Sequence, residues 1–149
     1  TEILKSFDLL EIGKARVINE VLSDLVIFSF GNMLNISMEI SDEIGCSLVD
    51  MRFIKPLDEE LIEKYAKTHK YIITIEENVI SGGAGSAVNE YLTKIGYSDK
   101  LKIFGVPDDF PIVGSQEDQR EAAGLSKNKI LEKLSIELDI KDLNKKVSA

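Results

Sequence analysis

The residue types that could do chemistry in this chain are few. Among 149 residues there is one histidine, His69, one cysteine, Cys46, and no tryptophan, so a Cys–His or Ser–His arrangement would have to draw on those two positions. His69 follows Lys67 at the end of an expected helix and precedes Lys70, where cations meet the negative end of the helix dipole, and it reads as a solvated dipole partner with no visible partner residue. Cys46 follows Gly45 at the start of a strand-like run, the setting of a packed thiol rather than a thiolate nucleophile. The same scarcity excludes a Cys/His zinc site and an internal disulfide, which fits a reducing compartment.

Glu76 and Glu77 are adjacent. On an extended strand, neighbours point to opposite faces and cannot share one proton as a carboxylate pair does. At a strand end one of them can turn back toward the loop N–H groups that follow, and orienting that loop is the expected role. General acid or base work is the alternative. The loop, Gly82-Gly83-Ala84-Gly85-Ser86 after Asn78, opens a helix and could aim bare N–H groups at an anion. It lacks the two stronger phosphate signatures: Val88 stands where a dinucleotide fingerprint needs its third glycine, and Gly85-Ser86-Ala87 stands where a P-loop needs Gly-Lys-Ser/Thr. The other reading of these glycines is left-handed turns and close helix-to-sheet packing. Arg52 and Lys55, at another strand's carboxyl end, could bind a phosphate or salt-bridge to a neighbouring domain, or be a solvated pair.

The elements that position these residues alternate. Leu25-Val-Ile-Phe-Ser-Phe30, Cys46 to Met51, Tyr71 to Ile75 and Leu101 to Val106 read as strands. Leu34, Met38 and Ile44 mark a first helix. Asp58 caps a second, with Glu59 and Glu60 at its positive end, and the glycine loop leads into a third that Gly96 stops. Ser115 opens a fourth that ends before Gly124, and a last helix runs about from Ser126 to Leu138. Strands separated by helices of this length imply right-handed βαβ units and a three-layer α/β/α fold with a mostly parallel sheet. Leu9 to Ile12 and Ala15 to Ile18 flank Gly13-Lys14 at the spacing of a tight hairpin, expected to add an antiparallel edge. One domain over 1–149 is expected, with a lead-in at 1–8, a motif-bearing core at 9–125, the terminal helix at 126–138 and a disordered tail at 139–149.

Eighteen Lys plus Arg against 26 Asp plus Glu leave a net charge of −8, which repels nucleic acid and anionic membranes. No apolar run approaches the roughly 20 residues that cross a bilayer, and no basic-then-apolar leader opens the chain, so a cytoplasmic protein is expected. Thr1 in place of a methionine is expected to mark a cut from a longer polypeptide.

Asp50-Met-Arg-Phe-Ile-Lys-Pro-Leu-Asp58 resembles the carboxyl-terminal domain of the transketolase superfamily. Thr74-Ile-Glu-Glu-Asn78 with Gly82-Gly-Ala-Gly-Ser-Ala-Val-Asn89 is similar to its 1-deoxy-D-xylulose-5-phosphate synthase family. Leu10-Glu-Ile-Gly-Lys14, Phe30-Gly-Asn-Met33, Gly105-Val-Pro-Asp108 and Gly114-Ser-Gln-Glu117 follow in that family's order. Val21-Leu22, Val106 and the stretch after Gly124 depart from it. The resemblance implies a thiamine-diphosphate and Mg2+ enzyme that condenses pyruvate, losing carbon dioxide, with glyceraldehyde 3-phosphate, for isoprenoid, thiamine and pyridoxal synthesis. It also implies a homodimer whose cofactor and metal belong to two preceding domains, with no catalytic, cofactor or metal residue on this chain. The expected role is interdomain packing and dimer support, with Arg52, Lys55, Glu76, Glu77, Asn78, Gly82, Gly83, Gly85 and Ser86 at an interdomain or anion-contacting surface. The alternatives are a stand-alone anion-binding or regulatory α/β module and the equivalent domain of another transketolase-like enzyme.

Overall fold

The two central strands are the stretches richest in β-branched and aromatic residues, because a strand covered on both faces needs apolar side chains in both directions. A computed structural model describes residues 9–110 and 112–138; the expected lead-in and tail lie outside them. The elements run β1 (Arg16–Asn19), β2 (Leu25–Ser29), a 3-10 turn at Gly31–Met33, α1 (Leu34–Ile44), β3 (Ser47–Asp50), α2 (Glu59–Thr68), β4 (Tyr71–Val79), α3 (Ala84–Ile95), a second 3-10 turn at Ser98–Lys100, β5 (Leu101–Val106), α4 (Gln116–Ala123) and α5 (Lys127–Glu137). The sheet order is β1-β3-β2-β4-β5. Every neighbouring pair is parallel except β1 with β3.

Alternation along β2 and β4 divides the core. Leu25, Ile27, Ile73 and Ile75 pack with Met33, Ile40 and Leu134 on the α1 and α5 side. Val26, Phe28 and Ile72 pack with Ile62, Val88 and Leu92 on the α2 and α3 side. This is the expected three-layer α/β/α arrangement. Asp58 caps α2 by accepting from Leu61 N at 3.2 Å, Ser115 and Asp118 form a capping box on α4, and Gly96 closes α3 at φ 81°, where a left-handed residue satisfies the last carbonyls.

Two expectations are corrected. The antiparallel edge is one strand, not a hairpin: β1 pairs with β3, while residues 9–12 form no strand. Gly13 does turn at φ 75°, but the segment after it is drawn to α2 instead of back on itself, since Ala15 N donates to Asp58 Oδ2 at 3.0 Å and Lys14 Nζ lies 2.8 Å from Glu60 Oε2. β4 also runs on through Glu76, Glu77 and Asn78 rather than ending at Ile75. From Ile75↔Phe104 to Val79↔Val106, β4 spends four residues against two on β5, a bulge that re-aims the side chains it carries.

His69 is a third correction, since it is buried and partnered rather than solvated. Its extended backbone, φ −110° and ψ 147°, turns the ring inward. Nδ1 lies 2.9 Å from Thr68 Oγ1, Nε2 lies 3.4 Å from Ser47 Oγ, and the ring meets Tyr65 edge-on at 4.9 Å. Burial, the largest influence, pushes its pKa below the ordinary value and favours the neutral imidazole. Cys46 is buried as expected, and burial pushes its thiol up to about 12.

Because His69 titrates lower in the folded chain than the roughly 6.5 of an unfolded histidine, the unfolded state holds the extra proton between those two values. Stability conferred by this site is therefore complete above pH 7.5 and is lost as pH falls through the histidine range. Urea denaturation between pH 7.5 and 5.5 should show falling stability, and His69→Gln should flatten that slope. An equal slope in the variant would refute the assignment.

Candidate functional site

In an open α/β sheet the place for a ligand is beyond the strands' carboxyl ends, where the connections diverge. That point lies between β2 and β4: α1 leads from β2 to β3 on one side, and α3 leads from β4 to β5 on the other. The residues at this point are Gly31 and Asn32 after β2 and Glu76 to Asn78 on β4.

Glu76 points to the α3 side and is 2% exposed. Its Oε2 accepts from Ala84 N at 2.7 Å and its Oε1 from Gly85 N at 2.7 Å. The first turn of α3 therefore binds an anion, and that anion is the protein's own carboxylate, held by charge-assisted hydrogen bonds and the helix dipole. The glycines make the approach possible. A Cβ on Gly83 would overlap Val79 O and Glu76 Oε2, and one on Gly85 would lie 2.6 Å from Ile103 Cγ2 and 2.7 Å from Thr74 Oγ1. Gly82, at φ 76°, makes the left-handed turn, and its N–H donates to Ser86 Oγ at 3.2 Å while Ser86 Oγ donates to Ile80 O at 2.6 Å.

Glu77 faces the opposite layer. Its Oε1 accepts from Arg120 Nε at 2.7 Å and from Gln116 Nε2 at 3.1 Å, and its Oε2 accepts from Asn32 Nδ2 at 3.4 Å. One carboxylate thus ties the β2–α1 turn and α4 to the end of β4. Asn78 Oδ1 accepts from Val79 N at 2.8 Å. Arg52 and Lys55 join neither cluster. Arg52, at φ 56°, has Nε 3.7 Å from Asp50 Oδ2, and Lys55 lines a separate groove with Lys14, Glu90 and Tyr91.

Asn32 lies in a strand-end loop where a ligand is expected from the sequence, whereas Gln116 and Arg120 are not among the expected site residues. The available signal was the spacing of four between Gln116 and Arg120, which puts both on one face of a helix. The two glutamates lie on opposite faces of β4, and among the described residues neither is hydrogen-bonded to a histidine or a cysteine. Among the described residues no three His, Cys, Asp or Glu side chains converge on a metal position. The edge braces loops and helices.

The family model for the transketolase C-terminal domain matches residues 13–130. A 1-deoxy-D-xylulose-5-phosphate synthase of Pseudoalteromonas translucida is 43% identical over 130 residues, which are 87% of this chain and 21% of the relative. One from Haemophilus influenzae (strain PittGG) is 42% identical over 131 residues, with 88% and 21% covered. The chain thus spans about a fifth of the length of these curated relatives. A solved structure described as a split gene transketolase, inactive β4 tetramer, superposes with TM-score 0.78 at 28% identity, covering 89% of this chain and 44% of that one. A transketolase from Campylobacter jejuni, at TM-score 0.58 and 18% identity over 82% of this chain and 18% of that one, shares the fold.

The unequal burial of the two glutamates predicts unequal costs. Glu76→Ala strands two buried N–H groups and should lower stability by about 3–5 kcal/mol, whereas Glu77→Ala removes half-exposed contacts and should cost about 1 kcal/mol. Chemical denaturation of both variants checks this, and equal losses would contradict it.

Proposed function

The chain belongs to the transketolase C-terminal domain family, and from that premise we propose that it is the carboxyl-terminal domain of a 1-deoxy-D-xylulose-5-phosphate synthase, which condenses pyruvate with glyceraldehyde 3-phosphate and releases carbon dioxide. The observation that carries this reading is the 43% identity, across nearly all of the family domain, to a synthase of which the matched residues make up 21%. The domain's own task is to pack against the cofactor-binding domains of the same polypeptide and to support a homodimer.

Thiamine diphosphate with Mg2+ supplies the carbanion chemistry of such an enzyme when bound. The described residues here do not fit that group. The first-turn N–H groups that could cradle a diphosphate are spent on Glu76, and no cluster of metal-ligating side chains is present among them. The cofactor and its metal are therefore assigned to the other domains. Among the described residues no helix is long and apolar enough to cross a membrane. A net charge of −8 argues against nucleic acid as a partner, and the lone buried thiol suits the cytoplasm.

A second reading, the matching part of a transketolase, is favoured by the 28% identity to the split gene transketolase chain. Activity separates the two. The chain alone should release no carbon dioxide from pyruvate and give no heat when titrated with thiamine diphosphate and Mg2+. Joined to the domains encoded with it, it should form 1-deoxy-D-xylulose 5-phosphate. A micromolar heat from the isolated chain would overturn the proposed division of labour, and ketol transfer between sugar phosphates without pyruvate condensation would favour the second reading.

A further inference from the structure

Among the described residues, Arg52 is the one non-glycine residue with a left-handed backbone, φ 56°. It is the centre of a three-residue turn just past β3, closed by Phe53 N donating to Met51 O. Such a turn is strained for a residue with a side chain and persists where other interactions offset the strain. Inside this domain little does. The Arg52 guanidinium makes no hydrogen bond among the described residues, and its ion pair is a loose one, Nε lying 3.7 Å from Asp50 Oδ2. That same oxygen accepts from Arg16 Nη2 at 3.3 Å. Two guanidinium groups over one carboxylate leave this cluster positive, in a chain whose net charge is −8. Asp58 and Glu60 on the nearby α2 are engaged by Lys14.

The cluster lies where the chain enters the sheet. β1 is antiparallel to β3, with Arg16 opposite Asp50, so β1 begins at the end where β3 finishes. The residues before it pass the loop that follows Arg52: a Cβ on Gly13 would lie 2.8 Å from Pro56 Cγ. Leu9, Leu10 and Ile12 of the entering segment are exposed, as is Ile54 in the loop, Ile12 by 75% and Ile54 by 51%. On the functional reading above, the cofactor-binding domains precede this one, and their chain arrives through that segment. The tether holds them at high effective concentration beside this edge. A protein surface would also bury the exposed apolar neighbours, which a free anion would leave in water.

We propose that Arg52 anchors this domain to the cofactor-binding domains, its unbonded Nη groups taking a carboxylate of theirs while Ile12 and Ile54 are buried at the same contact. The rigid turn holds the guanidinium ready for that carboxylate, so less freedom is lost on docking. The inference rests on the part of the functional reading that places cofactor-binding domains before this one, and it names the contact they use.

The test is hydrogen exchange of the amides at 9–13 and 52–55 in the isolated chain and in the polypeptide joined to its cofactor-binding domains, with activity measured on the same joined sample. Docking predicts exchange at least tenfold slower in the joined form. Arg52→Gly keeps the turn, because glycine adopts a left-handed backbone freely. It should leave the melting temperature of the isolated chain unchanged and abolish the slowing in the joined form. An active joined synthase whose amides exchange as fast as in the isolated chain overturns the anchor and leaves the functional reading standing. Slowed amides in a joined polypeptide that transfers ketol groups without condensing pyruvate overturn the synthase reading and leave the anchor standing. Slowing that persists in Arg52→Gly, or a fall of several degrees in that variant's melting temperature in isolation, overturns the proposal. So does heat from titrating the isolated chain with inorganic phosphate that Arg52→Gly removes, which assigns the arginine to a free anion. Sedimentation showing a dimer of the isolated chain that Arg52→Gly dissociates assigns it to a second copy, with the same consequence.

Discussion

A carboxylate that is 2% exposed must be compensated, because a buried charge without partners is far more costly than any single packing contact. For Glu76 the N–H groups of Ala84 and Gly85 at the head of α3 provide that compensation. Much of the surrounding geometry follows. β4 has to extend past Ile75 to carry the carboxylate to the helix, the bulge against β5 has to re-aim it, and Gly83 and Gly85 have to be free of side chains to let it in. The same bonds satisfy donors that every helix leaves orphaned in its first turn.

The next residue does the converse. Because side chains on a strand alternate, Glu77 enters the opposite layer, where its partners are side chains rather than backbone: Asn32, Gln116 and Arg120. Two like residues in tandem thereby brace two layers at the edge where open α/β folds commonly bind ligands. In this chain that edge is used for internal support.

The glycine-rich loop shows why a motif taken alone is ambiguous. Gly82 to Ser86 before a helix has the composition of a phosphate cradle, and its geometry does present N–H groups to an anion, but the anion comes from eight and nine residues earlier in the chain. What separates the two outcomes is whether a carboxylate lies within reach; the sequence offers Glu76 and Glu77 for that role, and strand length and bulge decide that Glu76 takes it. His69 makes the same point. Its position after Lys67 marks a helix end, yet Ser47, the group that helps to bury it, lies 22 residues away on β3.

The alternation of strands and helices, the parallel three-layer fold, the caps at Asp58 and Ser115 and the opposed faces of Glu76 and Glu77 are legible in the residues alone, because periodicity and capping are local properties of a few neighbouring residues. The ordered motifs also carried the family resemblance. It took the packing of the whole chain to settle that β1 pairs with β3 instead of forming a hairpin, that His69 is buried, that Glu76 rather than Glu77 meets the helix N-terminus and that Arg120 clamps α4. Each of those outcomes depends on groups brought together from distant parts of the chain, and which of them meet is set by packing across the sheet, not by sequence neighbours.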